Sequence, residues 1–405
     1  MRFISLLGLV LCVALPAASQ EQGIVLTFDD ALARARQFAP AVVAARMRIE
    51  EARARVTGAS LRSASNPTIE VEAGPRSGSA TTTDYGVALA QDFDLPSRRR
   101  ARLDAARAGV TQEEQRAREV ERDVLRDVAV TFLRAVEARE REAAAAGGKQ
   151  LAAEALRIAE RRFAAGDVAQ LDVNLARTAV ARADADARAA GAALAGQVTR
   201  LRVLLGIDGT ERVTVGGSLR DTAAPAADEL LARAADRGDV RALDAAIAEG
   251  EAEQRLAATL RWPDLGWRAA YRREGEERVT TGGIGLSLPF FQRGQEAAAL
   301  AAARLARLRA ERAALVRTID AEVRGALASY EALAAVAEQY ERTVLPLVEE
   351  NERLALESYD VGQIGLGELL VVRREALDTR RTFIDRLIEM RLAEVELRAQ
   401  AGVWK

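Results

Sequence analysis

Reactive side chains are scarce in this 405-residue chain: it has no histidine, and its one cysteine is Cys12. Imidazole bases, disulfides and the commonest zinc ligands are therefore excluded, and any thiol chemistry would rest on Cys12 alone. The remaining candidates are carboxylates, and two of them stand in a repeated context. Asp172 lies six residues after Gly166, and Glu368 six residues after Gly362. General acid–base work needs such groups to converge on one site. The carboxylates here are spread along helical segments, so no general base stands out, and the chain is expected to be neither an enzyme nor a cofactor binder. A lone acid on a helix ordinarily reads as a solvated charge.

The context of the two acids extends into an internal repeat. Arg162-Phe163-Ala164-Ala165-Gly166-Asp167-Val168-Ala169-Gln170-Leu171-Asp172 aligns with Ser358-Tyr359-Asp360-Val361-Gly362-Gln363-Ile364-Gly365-Leu366-Gly367-Glu368 at an offset of 196. Phe163 falls on Tyr359 and Val168 on Ile364. Gly206 falls on Gly402 at the same offset, and Phe93 and Arg107 fall on Phe290 and Arg304 at 197. A repeat on this scale constrains the architecture more than local propensity does. The expected layout is a first repeat over 20–206, a linker over 207–227 and a second repeat over 228–405.

Aromatics are 4% of the chain and charged residues 29%, which suits long helices better than large compact cores. The net charge is -2, and the Arg98-Arg99-Arg100 run is short and balanced by acids nearby, so no nucleic-acid partner is indicated. Residues 1–19 read as an export signal, with Arg2, an apolar stretch from Phe3 to Leu15, and small residues before Gln20. Lipidation at Cys12 is the lesser alternative. No later apolar run approaches the ~20 residues of a transmembrane helix, so a membrane passage would need a β-barrel.

The elements follow. A helix over 29–64 starts at a Thr27/Asp30 capping box, with Pro40 as its one irregularity. Its counterpart is 228–261. Next, the hydrophobic period changes to two, which predicts β-hairpins over 67–94 and 264–291. Ile69, Val71 and Ala73 share one face, with Glu70 and Glu72 on the other. In the second hairpin Leu265, Trp267, Ala269 and Tyr271 share a face, and Ile284, Leu286, Leu288 and Phe290 share a face of the return strand. Both tip loops, Pro75 to Asp84 and Arg273 to Gly282, read as longer than tight turns. The strand lengths suit a tilted bilayer crossing, and aromatics near the strand ends suit an interfacial girdle. Two hairpins cannot close a membrane barrel, so the chain must oligomerise; strand number permits a dimer or a trimer.

Long helices are expected over 97–164 and 294–359, followed by helices over 168–205 and 364–401. Gly147-Gly148 and Pro346 weaken the long helices at similar depth, which predicts a bend in each. Each long helix spans roughly 100 Å at 1.5 Å per residue, about the sum of the two shorter helices in its repeat. The shorter helices can then stack end to end along the long one, with each motif glycine at the turn farthest from the strands.

The duplicated aromatic-x-x-Gly turn, the element order and the segment Phe93-Asp94-Leu95-Pro96-Ser97-Arg98-Arg99-Arg100 resemble the TolC family of outer-membrane efflux proteins, over essentially the whole chain after the signal. That segment, with Leu288-Pro289-Phe290-Phe291-Gln292-Arg293-Gly294, is similar to the branch associated with heavy-metal resistance. The resemblance implies a mainly α protein with membrane β: a homotrimer with a twelve-stranded outer-membrane barrel continued by a helical periplasmic tunnel. Its partners would be a periplasmic adaptor, an inner-membrane pump and outer-membrane lipid. It further implies that Phe163, Gly166, Val168, Tyr359, Gly362 and Ile364 form the periplasmic docking tips. Asp172 and Glu368 would gate the entrance. In some members an acid at the position of Asp172 joins a tyrosine at that of Tyr359 through an arginine; Ile364 stands where that arginine would be, and Val371 stands at a second acidic gate position. From the residues alone, Phe163 and Tyr359 could equally anchor the turn.

The expected function is a passive outer-membrane duct of a tripartite efflux or secretion system. The alternative is a soluble periplasmic coiled-coil structural or adaptor protein.

Overall fold

The computed structural model describes residues 24–63, 65–77, 82–207, 211–221, 230 and 237–404. The expected export signal and Cys12 lie outside the described residues, as does much of the linker.

Thr27 opens the first helix as its capping box requires. The Asp30 amide donates to Thr27 Oγ1 at 3.2 Å, and the Thr27 amide donates to Asp30 Oδ2 at 3.3 Å. The single helix expected over 29–64 is instead two, α1 (Phe28–Phe38) and α2 (Pro40–Ser60). Pro40 disfavours helical backbone at the residue before it. Ala39 accordingly sits at φ -58 and ψ 128, and Pro40 becomes the first residue of a new helix.

The long helix α3 (Pro96–Ala165) has 70 residues and spans about 105 Å. At Gly147-Gly148, where a bend is expected, α3 runs on as one unbroken helix. Gly148 is buried, and a Cβ there would lie 3.1 Å from Leu377 Cδ2. The glycine therefore serves close helix approach. After α3 comes α4 (Gln170–Leu204), and the second half supplies α5 (Gly238–Thr259), α6 (Gln295–Gln339), α7 (Leu345–Asp360) and α8 (Leu366–Ala401). Between α6 and α7, Tyr340–Val344 form a π-helical turn, with the Leu345 amide donating to Tyr340 O. Pro346 follows directly and cannot donate to a helical carbonyl, so the wider turn absorbs the missing bond where the sequence led us to expect an irregularity.

The helices pack as two end-to-end stacks. α2 and α4 both lie along α3, while α5 and α8 lie along α6. The central core draws on Leu125, Val128, Phe132 and Val136 of α3, Leu201 of α4, and Phe383, Leu387 and Ile388 of α8. It is completed by a short parallel pair, β1 (Ile24–Leu26) with β4 (Val213–Val215), which ties the start of the described chain to the linker.

The hairpins form one four-stranded antiparallel sheet in the order β2 (Thr68–Arg76), β3 (Thr82–Phe93), β5 (Asp264–Glu274), β6 (Glu277–Ser287). Two details depart from expectation. The second hairpin closes through Gly275-Glu276, a tight turn with Glu274 opposite Glu277. Its return strand stops at Ser287, before Leu288 and Phe290, because Pro289 has no amide to give the ladder.

Candidate functional site

Two regions concentrate what composition cannot explain: the turns at one end of the helices and the sheet at the other. At the turns, α3 ends on Gly166 at φ 84 and α7 is followed by Gly362 at φ 80, a left-handed conformation costly for other residues. The capping is the same in both. The Gly166 and Asp167 amides donate to Phe163 O and Arg162 O at 3.0 and 2.9 Å, and the Gly362 and Gln363 amides donate to Tyr359 O and Ser358 O at 3.1 and 2.8 Å.

Beyond the glycines the turns differ. Phe163 is 43% exposed, whereas Tyr359 is fully buried at 0%, so Tyr359 cannot present itself to a partner as the resemblance implied. It packs with Ile158, Ala159, Leu366 and Leu369, and Ile364 rests on the same cluster. Gly166 and Gly362 are exposed, and Val168 is half-buried. Exposed Leu171, Val361 and Val371 extend the apolar surface here.

The two carboxylates occupy equivalent third positions of α4 and α8 but act differently. Glu368 is exposed and accepts a hydrogen bond from the Gly365 amide at 3.1 Å, which caps α8. Asp172 is half-buried, and no hydrogen bond joins it to Tyr359, whose buried hydroxyl is unpartnered. Burial raises the Tyr359 pKa; Arg162 opposes that rise and the Asp172 charge adds to it. Within the chain Asp172 and Tyr359 are not hydrogen-bonded, and Ile364 stands where the linking arginine of the resemblance would be.

Arg162, a residue the sequence reading passed over, makes the connection instead. Its Nη1 donates to Tyr359 O at 3.1 Å, and its guanidinium lies 5.1 Å from the Tyr359 ring centre. It thereby ties the end of α3 to the end of α7. The signal was the arginine directly before Phe163, where the other copy has Ser358.

In the sheet, register aligns the faces of all four strands. Ile69 stands opposite Leu89, which stands opposite Ala269; Val71, Val87 and Tyr271 form the next row, and Trp267 faces Ile284. This apolar face is open: Ile69 is 70%, Val71 73% and Ile284 81% exposed. The opposite face is charged, with Arg268 paired to Glu70 at 2.6 Å and Arg272 to Glu72 at 3.8 Å. These pairs reach across β3, where small residues make room. A Cβ at Gly86 would lie 3.0 Å from Arg272 Cγ. Along β3, Tyr85 and Phe93 bound about 27 Å of strand at ~3.4 Å per residue, close to the height of a bilayer-facing apolar band before tilt.

The arginine run beside Pro96 belongs to the join between sheet and helices. Arg98 pairs with Asp264 and donates to Thr259 O and Trp262 O, while Arg99 donates to Ser60 O and Leu61 O. Arg102 pairs with Asp94 and donates to Leu61 O. The run thus satisfies the carbonyls left open at the ends of α2 and α5.

Comparison with known proteins agrees with this geometry. Residues 31–207 match the family model described as outer membrane efflux protein. The cobalt-zinc-cadmium resistance protein CzcC of Cupriavidus metallidurans is 28% identical over 208 residues, half of this chain; the chain spans about half (49%) of that relative's length. Among solved structures, CusC, whose crystal structures concern folding and transmembrane channel formation, aligns at TM-score 0.74 and 19% identity over 94% of this chain and 93% of its own. The CmeC outer membrane channel of Campylobacter jejuni aligns at TM-score 0.73 and 17% identity over 93% and 85%. The structural neighbours are channels, and at these identities they share the fold. The chain therefore resembles the TolC-like outer membrane efflux proteins, in sequence across its first half and in fold across nearly all of its described length.

Proposed function

We propose that this chain is the outer-membrane duct of a tripartite efflux system, built from two efflux repeats, 20–206 and 228–405, joined by the linker 207–227. The observation that carries the reading is the sheet. A four-stranded sheet whose apolar face lies open and whose charged face is internally paired is the wall of a barrel in lipid. Its edge strands β2 and β6 have no partner among the described residues, and four strands are too few to close a membrane barrel. Three copies would supply twelve strands by joining β6 of one to β2 of the next, which favours a homotrimer.

The helices, about 105 Å long, would then reach from the outer membrane deep into the periplasm. Solutes pass by diffusion, driven by an inner-membrane pump through a periplasmic adaptor. The tip surface of exposed Phe163, Gly166 and Gly362 with half-buried Val168 and Ile364 is the proposed adaptor contact. Asp172 and Glu368 are the proposed entrance charges, and Tyr359 serves as the buried anchor that Arg162 grips. Heavy-metal cations are the proposed substrate class, on the likeness to a cobalt-zinc-cadmium resistance protein. No helix is long and apolar enough to cross a membrane among the described residues; in this reading the sheet makes the crossing.

Reconstitution in planar bilayers tests the duct. Discrete channel conductance is expected; well-inserted protein without conductance would overturn the reading.

A further inference from the structure

Charges on the two faces of the sheet are treated differently near the hairpin tips. On the charged face Arg76 pairs with Asp84 at 2.8 Å and with Glu274 at 3.0 Å, and Arg272 pairs with Glu72. On the apolar face the register sets Arg273 directly opposite Arg278, in the same row as Ala73 and Tyr85 and one row beyond Tyr271. No acid shares that row. The Arg273 guanidinium donates to the Gly275 carbonyl at 3.3 Å and meets the Tyr85 side chain, both uncharged partners. Arg278 is exposed and forms no ion pair or hydrogen bond with a described residue. Glu276, in the intervening turn, attracts Arg273 weakly and forms no ion pair with it.

Like charges directly opposite in a sheet repel, and the row Ala73, Tyr85, Arg273, Arg278 holds no acid to offset them. Its depth suggests where the counter-charge comes from. An arginine facing lipid at mid-bilayer would cost about 2–4 kcal/mol, but near the interface the cost falls to about 0–1. Tyr85 and Tyr271 place this row at the headgroup level. Guanidinium forks are suited to bidentate binding of phosphate oxygens.

We propose that Arg273 and Arg278 form a clamp for the phosphate groups of a phosphorylated glycolipid in the outer leaflet. The inference rests on the duct reading, in which the helices lie on the periplasmic side and the hairpin tips face outward. Two adjacent arginines with no acid on their face bind a dianionic headgroup from the side. The charged face, whose arginines are already paired, does not compete for it.

The test reconstitutes the full chain in phosphatidylcholine nanodiscs doped with bisphosphorylated lipid A or with its dephosphorylated form. Lipid retained on the protein is counted by native mass spectrometry, and protease protection reports insertion separately. Wild-type protein is expected to retain the phosphorylated lipid at least about fivefold more than R273Q/R278Q. R273K/R278K should fall between them, and R272Q, on the opposite face, should match wild type. Equal retention by wild type and R273Q/R278Q, or equal retention of the two lipids by wild type, overturns the clamp while leaving the duct standing. Wild-type protein that does not insert overturns the duct reading and the clamp with it.

Discussion

Replacing Arg162 with alanine should loosen the tip. The residue joins the ends of α3 and α7 through one hydrogen bond to Tyr359 O, at 3.1 Å, and one stacking contact with the Tyr359 ring, at 5.1 Å. A hydrogen bond from a charged group contributes about 1.5–3 kcal/mol, and a cation–π contact at a partly exposed site about 0.5–1. The guanidinium is half-exposed and regains water when the turns separate, so about 2 kcal/mol is a fair total. That corresponds to roughly a 30-fold shift in the balance between joined and separated turns. Single-channel recording of Arg162→Ala in planar bilayers should therefore show open probability rising by about an order of magnitude or more. Arg162→Lys should recover part of the hydrogen bond but not the stacking. Tyr359→Leu, combined with Arg162→Ala in a double-mutant cycle, should show non-additive effects of about 0.5–1 kcal/mol from the stacking contact. Open probability within about twofold of wild type, in correctly assembled Arg162→Ala protein, would refute the tie.

Three further outcomes follow from the same structure. Glu368→Ala removes both the proposed entrance charge and the cap on Gly365, worth about 1 kcal/mol, and should raise conductance or weaken block by cations; unchanged currents would remove Glu368 from the proposed gate. Arg98→Met should destabilise the join by about 1–2 kcal/mol, because it removes the donor to the carbonyls of Thr259 and Trp262 and the partner of half-exposed Asp264; thermal unfolding at the wild-type temperature would contradict this. Burial alone would raise the Asp239 pKa, but hydrogen bonding to Arg237 and the charges of Arg237 and Arg122 outweigh it and hold the carboxyl below its usual value. Its contribution is thus present above the unfolded pKa of about 3.9 and is lost as pH falls through the lower folded value. Denaturant unfolding between pH 6 and pH 3 should show a smaller acid loss in Asp239→Asn than in wild type.

Much of the fold was legible because it rests on local pattern. The Thr27/Asp30 box, the two-residue period of the strands and the two motif glycines each act within a few residues, and each appears in the structure where the sequence put it. What sequence could not convey depends on neighbours brought from afar. Gly147-Gly148 looked like a hinge, yet Leu377 fills the groove beside Gly148 and the helix stays continuous. The run Arg98-Arg99-Arg100 read as a short charge run balanced by acids nearby, because the open carbonyls that Arg98, Arg99 and Arg102 satisfy belong to helix ends dozens to more than a hundred residues away. The pairing of β1 with β4 joins two three-residue strands too short to signal themselves. At the candidate site, the glycine turns were readable, but the different fates of Phe163 and Tyr359 were not. An aromatic in an aligned position is exposed or buried according to what packs over it, and here Arg162 and Leu369 decide.

The central claim is that the open apolar face of the sheet meets lipid while the charged face meets water. The chain's single native cysteine is Cys12, which a Cys12→Ser background removes, so spin labels can be placed one at a time along β2 and β6. Electron paramagnetic resonance of protein reconstituted in bilayers then compares accessibility to oxygen, which partitions into lipid, with accessibility to a water-soluble nickel chelate. Labels at Ile69, Val71, Ile284 and Leu286 should favour oxygen, and labels at Glu70, Glu72 and Gly285 should favour the chelate, alternating with a period of two. Uniform access of the chelate to both faces would contradict the account.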